Sequence, residues 1–184
     1  MTLSDRVAVV PFRRLVWLLP ITFALHELEE WNILPWYREQ FTNPPTTSDL
    51  GVYTWLIGIS LVGFFWTALA CVLPTARATA ALALPFFIVL VFGNALQHVY
   101  WQFAFGAYAP GVLAAAFLNI PAIVLLSWHA LRNHLLTWPY VVVLYLVSLV
   151  SVFSTVRAGR TVTPLFQAMH RFSEWLAQAL FGAA

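Results

Sequence analysis

Residues 51–73, GVYTWLIGISLVGFFWTALACVL, decide the fold, because this long stretch contains no charged side chain. A transmembrane helix needs about 20 largely apolar residues, since a helix rises about 1.5 Å per residue and the hydrocarbon core is about 30 Å thick. Similar stretches occupy residues 15–34, 78–103, 111–131 and 138–156. The sequence therefore predicts one all-α integral membrane domain over residues 1–184, built as a bundle of five transmembrane helices.

The composition supports a membrane protein and excludes several other classes. Of the 184 residues, 61% are hydrophobic and 9% are charged, whereas about a quarter of the residues are charged in soluble proteins. All nine basic residues are arginines, and they form no run or basic stripe, which excludes a nucleic-acid partner. Cys71 is the only cysteine, so an internal disulfide and a cysteine-based metal site are excluded. The predicted partner is the lipid bilayer.

The last segment has a different pattern. Between residues 162 and 181, apolar residues recur at helical spacing, and polar residues such as His170 and Glu174 occupy the face between them. This pattern predicts an amphipathic helix over residues 162–181 that lies in the membrane interface, with His170 solvated. A tilted sixth span is the alternative. His129, next to the loop after the fourth span, is also predicted to be solvated.

The arginine positions predict the orientation in the membrane. Cytoplasmic loops of membrane proteins carry an excess of Lys and Arg. With the N-terminus in the cytoplasm, five arginines lie inside and four outside, a small excess that favours this orientation. The first apolar stretch follows Arg13 and Arg14 as in a signal peptide, but no small-residue cleavage site comes after it. We therefore expect a retained first span.

The first predicted span carries the ionisable cluster His26-Glu27-Leu28-Glu29-Glu30. Ionisable groups at membrane depth are costly, and they persist where they line a cavity or face a partner, which usually marks a functional site. Helical geometry places Glu29 and Glu30 on the face of His26, at i+3 and i+4. Glu27 points about 100° away, so we expect it to support the site from behind or to extend toward the head groups.

A second polar set lies in the third predicted span, where Asn94 and His98 are four residues apart and share a face. The first and third spans run in the same direction, and both polar sets lie in the later half of their span. The turn Tyr108-Ala109-Pro110-Gly111 opens the fourth span on that same side. These positions predict that the three polar features converge in one leaflet.

The residue types in these sets suit a metal centre. An imidazole with carboxylates on adjacent helical turns forms a good half-site for zinc or iron. We predict a divalent metal held by His26, Glu30 and His98, with Glu29 as a further ligand or as the general base. Asn94 would orient a ligand or polarise a substrate oxygen. The predicted function is a metal-dependent membrane enzyme that acts on a small lipophilic substrate, as a hydrolase with zinc or an oxidoreductase with iron.

Three alternatives stay open at this point. Without a metal, Glu29 and Glu30 would share a proton and act as acid and base in an isomerase or cyclase. A cation or proton carrier would use the same groups to bind and release its ion. In a structural or partner-binding protein, the polar groups would only hold helices together. A second copy of the chain, in a homo-oligomer, is a possible partner.

The three polar features also carry a resemblance to a known family. They read H-x-x-E-E at residues 26–30, N-x-x-x-H at residues 94–98 and Y-x-P-G at residues 108–111. In these motifs the chain resembles the bacterial membrane family named for its HXXEE motif, from the first span to the start of the fourth. The resemblance implies a small multispan protein of the bacterial inner (plasma) membrane, but it implies no particular reaction.

Overall fold

The computed structural model describes residues 8–182, and these residues form helices and no strand. Within them we number eight helices in chain order: α1 (Phe12–Leu15), α2 (Leu18–Glu29), α3 (Ile33–Gln40), α4 (Asp49–Cys71), α5 (Ala76–Phe105), α6 (Val112–Arg132), α7 (Trp138–Ala158) and α8 (Pro164–Phe181). The all-α prediction is confirmed for this part of the chain.

Four helices in the described part of the chain, α4 to α7, are long and apolar enough to cross a membrane. They correspond to the second to fifth predicted spans, and each predicted limit lies within two residues of the helix end. Large apolar side chains such as Val150 and Phe153 are exposed on α7, as a surface in contact with lipid requires. By length and composition, the chain is therefore a membrane protein.

The first predicted span, residues 15–34, is not one helix. The chain divides here into α1, α2 and α3, of 4, 12 and 8 residues. Pro35 explains the break between α2 and α3, because it has no N–H to bond the carbonyl of Trp31, four residues earlier. The chain leaves the helix after Glu29 and α3 begins at Ile33. Pro35 then lies in the first turn of α3, where proline is tolerated.

A proline also shapes α5. Pro85 has no N–H for the carbonyl of Ala81, and the Tyr140 hydroxyl of α7 donates to this carbonyl instead, at 3.1 Å. Directly after Pro85, α5 widens into a π-helical turn over Phe87–Phe92. The extra residue of a π-helical turn rotates the part of the helix that follows. In α5, this part carries the second polar set.

Two apolar cores bury the centre of the molecule. The first includes Phe23 of α2 and Val91 of α5, and the second includes Ile33 of α3 and Trp101 of α5. Between α2 and α3, and again along α5, the chain passes from the first core to the second. The two polar sets lie at these passages, so both are surrounded by apolar packing.

The predicted tail helix is present as α8, and it packs against α4. The Glu174 carboxylate accepts the backbone N–H of Ser48 at 2.8 Å and the Ser48 hydroxyl at 2.8 Å, and Thr47 adds a third bond at 3.1 Å. These bonds fasten α8 to the N-terminus of α4, where free N–H groups need acceptors.

Two predictions of solvated histidines are wrong. His170 of α8 is 5% exposed, because the face that carries it packs against the bundle. His129 of α6 is also buried, and its Nε2 lies 3.0 Å from the carbonyl oxygen of Val10. A polar residue on a helix faces water or faces the bundle depending on how the helix docks, and its periodicity does not distinguish the two.

Candidate metal centre

Three side chains with metal-binding atoms meet between the two apolar cores. His26 and Glu30 come from the end of α2, His98 comes from α5, and all three are buried. One ligand atom from each lies within 4.8 Å of the other two, and the described residues contain no second such group. The structure thus brings together three of the predicted ligands. That a metal binds to them stays a prediction.

Glu30 Oε1 lies between the two imidazoles. It is 2.8 Å from Nε2 of His26 and 3.1 Å from Nε2 of His98. The rings stand edge to face, with centroids 4.8 Å apart. Asn94 also reaches the group, because its Nδ2 lies 3.1 Å from Nε2 of His26. Both histidines therefore present the same nitrogen to the carboxylate.

The turn between α5 and α6 holds the other nitrogen of each ring. Nδ1 of His26 lies 2.9 Å from the carbonyl oxygen of Gly111, and Nδ1 of His98 lies 2.6 Å from that of Pro110. A carbonyl oxygen only accepts hydrogen bonds, so both Nδ1 atoms carry a proton. In metal centres, a bond of this kind fixes the ring and leaves Nε2 as the ligand.

The Nδ1 protons leave an electrostatic imbalance at Glu30. In a neutral imidazole with its proton on Nδ1, Nε2 carries a lone pair, and here both lone pairs face a carboxylate oxygen, while only that of His26 also has a donor, Nδ2 of Asn94. Glu30 Oε1 is buried and has no hydrogen-bond partner among residues 8–182. A cation between the three atoms, or a second proton on each ring, balances these lone pairs. Metal–ligand bonds of about 2.0–2.2 Å put neighbouring ligands roughly 3 Å apart, so the donor set fits zinc or iron.

Gly111 lets the turn approach this group. Its φ is +90°, in the region that favours glycine. A Cβ at this position would lie 2.8 Å from Cε1 of His26 and 3.0 Å from Oε1 of Glu30. Any larger residue would therefore displace a predicted ligand or the carbonyl that holds it.

Glu29, the fourth predicted ligand, contacts the start of α6. Its carboxylate accepts the backbone N–H groups of Leu113 at 3.1 Å and Ala114 at 2.7 Å, and the Tyr108 hydroxyl also donates to it. Burial and the bond to Glu29 raise the pKa of Tyr108 to about 12, so this hydroxyl keeps its proton. A carboxylate at a helix N-terminus satisfies free N–H groups and complements the helix dipole. Glu29 thus positions the turn that holds both histidines.

A cavity of about 690 Å³ lies beside the centre. Glu30, Asn94 and His98 line it, and its walls are mostly apolar side chains of α2, α3, α4, α5, α7 and α8. Leu90 lines the cavity and is also 53% exposed, close to the middle of α5. An exposed side chain in the cavity wall therefore lies halfway along a helix that is long enough to span the membrane, and we expect the cavity to open there.

Further polar residues outside the predicted ligand set line this cavity, among them Glu27, Tyr37, Trp101 and His170. Glu27 is 4% exposed, so it does not extend to the head groups. The position of Glu27 in an apolar stretch indicates a functional residue, but helical geometry places its side chain about 100° away from His26 and so away from the predicted centre. Tyr37 and Trp101 resemble the other aromatic residues of this chain, so only their tertiary contacts separate them from lipid-facing side chains.

These features define a helical membrane protein with a buried His-Glu-His group beside an apolar cavity. The chain belongs to the family described as "Protein of unknown function with HXXEE motif", which matches residues 17–126. The match includes all three residues of the group and the turn that holds them, and it confirms the resemblance seen in the motifs. No curated protein and no solved structure matches the chain.

Proposed function

We propose that this protein is a metal-dependent integral membrane enzyme that acts on a lipophilic substrate. The observation that carries the proposal is the orientation of the two histidines. Backbone carbonyls hold both Nδ1 protons, so both Nε2 atoms face Glu30 Oε1 in a buried group. Two neutral imidazoles and one carboxylate form a ligand set that leaves coordination positions open for a reactant.

Each residue of the centre has a role in this proposal. His26, Glu30 and His98 hold the ion, and Asn94 orients a substrate oxygen at the cavity wall. The ion supplies a Lewis acid and an activated water if it is zinc, or redox chemistry if it is iron. Glu29 acts indirectly, because it fixes the start of α6 and hence the two carbonyls that orient the histidines.

The substrate class follows from the cavity. Its walls are mostly apolar, and it reaches the surface at Leu90, halfway along α5. A molecule dissolved in the bilayer would therefore reach the centre laterally, without crossing water. Burial of an apolar chain in such a cavity contributes about 25 cal/mol per Å².

We extend the proposal to the arrangement in the membrane. α2 exposes Ile21, Leu25 and Leu28 on its outer face, which supports a fifth crossing made by α1, α2 and α3 together. α8 exposes Phe172 and Trp175, which supports a helix lying in the interface, where aromatic residues are favoured. The N-terminus would be in the cytoplasm and the membrane would be the bacterial inner membrane.

Metal analysis of the purified protein tests the proposal. We expect about one zinc or iron per chain, and a drop in metal affinity of at least roughly tenfold in His26→Gln, Glu30→Gln and His98→Gln. His129→Gln is the matched control, because His129 is a buried, hydrogen-bonded histidine outside the centre. Glu29→Gln separates the two roles of Glu29: it keeps the metal if Glu29 positions the turn and loses it if Glu29 is a ligand.

A second result would overturn the proposal. If the folded wild-type protein binds no transition metal after reconstitution with zinc and with iron, the centre is held by protons. The metal-free isomerase or cyclase, with Glu29 and Glu30 as acid and base, then replaces the metal-dependent enzyme as the proposed function.

A further inference from the structure

A second polar group lines the cavity next to the candidate metal centre. His170 of α8 is 5% exposed and its Nδ1 has no hydrogen-bond partner among the described residues. Trp101 of α5 is 4% exposed and its Nε1 also lacks a partner in residues 8–182. Buried polar atoms are almost always hydrogen-bonded, so two unpartnered ones on a single cavity wall need an explanation.

Ring contacts join these residues to the centre. The ring of His170 lies 5.6 Å from that of Tyr37, and the ring of Trp101 lies 4.9 Å from that of His98. Tyr37 and Glu27 line the same cavity, and both are buried. We call Glu27, Tyr37, Trp101 and His170 the head-group site.

The head-group site contains both donors and acceptors. The Trp101 Nε1–H only donates, the Glu27 carboxylate accepts, and the Tyr37 hydroxyl does both. Burial lowers the pKa of His170 to about 4, so this ring is neutral and has one donor and one acceptor nitrogen. A ligand that satisfies the group must itself both donate and accept hydrogen bonds.

This requirement, together with the charges in the cavity wall, favours an uncharged head group. None of the described residues that line the cavity is an arginine, whereas Glu27 and Glu30 both line it. A phosphate or carboxylate would meet two acidic side chains and no counter-ion. An ammonium group would be attracted by these two acids, but it has only donors and would leave the Trp101 N–H unsatisfied. A hydroxyl group carries no charge and both donates and accepts.

We propose that the head-group site binds the hydroxyl of a lipophilic alcohol, whose apolar chain extends through the cavity toward Leu90. The hydroxyl lies between α8 and α5, next to the ring of His98. That this alcohol is the substrate or product rests on the proposed function, whereas its binding rests on the cavity alone. The tail helix therefore completes the site, because it contributes His170.

Four probes with the same chain length test this inference: dodecan-1-ol, dodecylamine, dodecanoate and dodecane. Native mass spectrometry of the detergent-solubilised full chain measures how much of each probe is retained. We expect dodecan-1-ol to be retained most strongly. Each lost hydrogen bond contributes about 0.5–1.5 kcal/mol, so His170→Phe, Trp101→Phe and Tyr37→Phe should each weaken its binding by roughly two- to tenfold. Tyr53→Phe is the control, because Tyr53 stacks on Trp31 and does not line the cavity.

The outcomes separate this inference from the proposed function. Equal or stronger retention of dodecanoate, dodecylamine or dodecane by the wild-type protein overturns the alcohol site, whether or not a metal is found. Retention of dodecan-1-ol by chelator-treated protein that never binds a metal supports the alcohol site and removes the metal-dependent function. The comparison of probes on the wild-type chain decides the question even if a variant fails to fold.

Discussion

The carbonyl groups of Pro110 and Gly111 hold the Nδ1 protons of His98 and His26. They therefore determine which nitrogen of each ring faces Glu30. A side-chain acceptor in their place would itself be able to rotate, whereas a backbone carbonyl in a short turn is held by the chain on both sides. The centre is thus oriented by the backbone of one turn.

Gly111→Ala tests how closely this turn must approach. We expect metal affinity to fall by at least roughly tenfold, as when a group that orients a ligand is lost, because the new Cβ would overlap His26 and Glu30. Gly106→Ala is the matched control: its φ is also positive, at +68°, and a Cβ there meets no atom within 4 Å. Both variants lose about 1–2 kcal/mol of stability from backbone strain, measured by thermal unfolding. Equal metal loss in both would mean that strain in the turn, and not contact with the ligands, controls the centre.

Among whole elements, α8 is fastened to the bundle by groups that titrate. Bonds from the backbone N–H and hydroxyl of Ser48 hold the pKa of Glu174 below its usual value, and burial lowers the pKa of His170 to about 4. A docked α8 therefore favours the charged carboxylate and the neutral imidazole. Both groups disfavour the docked state when they take up a proton.

Acidification should release α8 from α4. For His170, the pKa in the docked state lies below the ordinary value of 6.5. The neutral ring's contribution to the free energy of docking is therefore complete above pH 6.5 and is lost as the pH falls toward 4. The loss amounts to about 1.4 kcal/mol per pH unit for one proton. One spin label on α8 and one on α4, in a Cys71→Ser background, measure the distance between the two helices. At pH 4.5 we expect a second, longer distance between the labels, which is absent at pH 7.

His170→Phe identifies the group responsible. In this variant, most of the change in the label-to-label distance between pH 6.5 and 4.5 should disappear. Any change in that distance below the ordinary pKa of Glu174, near 4.5, should remain. If His170→Phe and the wild-type protein release α8 at the same pH, another group controls docking.

For the molecule as a whole, the decisive feature is a cavity that joins the buried centre to the outer surface. Its walls come from six helices, and Leu90, an exposed residue in its wall, lies halfway along α5. No single helix forms this space, so it exists only while α8 and α7 close it from two sides. The proposed binding of an apolar substrate depends on that closure, because bulk water would otherwise fill the space.

Leu90→Trp tests the lateral opening. A larger side chain at this position should narrow the opening and slow the uptake of dodecan-1-ol from detergent or lipid, while the metal content stays unchanged. Leu61→Trp is the control, because Leu61 is 62% exposed on α4 and does not line the cavity. Time-resolved native mass spectrometry measures the uptake. Unchanged uptake in Leu90→Trp would show that the substrate reaches the centre by another way.

The sequence by itself determined the membrane class, four long spans and the convergence of His26, Glu30 and His98. Length and apolarity report directly on the thickness of the bilayer, and ionisable residues in apolar helices are rare enough to identify a site. Helical periodicity and the direction of the spans were sufficient to bring α2 and α5 together at this point.

The tertiary structure decided the rest. The break before Pro35, the position of Glu29 at the start of α6 and the burial of His129 and His170 all depend on contacts between residues far apart in the chain. A carboxylate on a helix becomes a ligand or a cap according to the neighbour it meets, and periodicity describes only the helix that carries it. For the same reason the cavity and the aromatic residues Tyr37 and Trp101 of its head-group site had no signature in the sequence, because an aromatic residue facing lipid and one facing a ligand occupy the same kind of position.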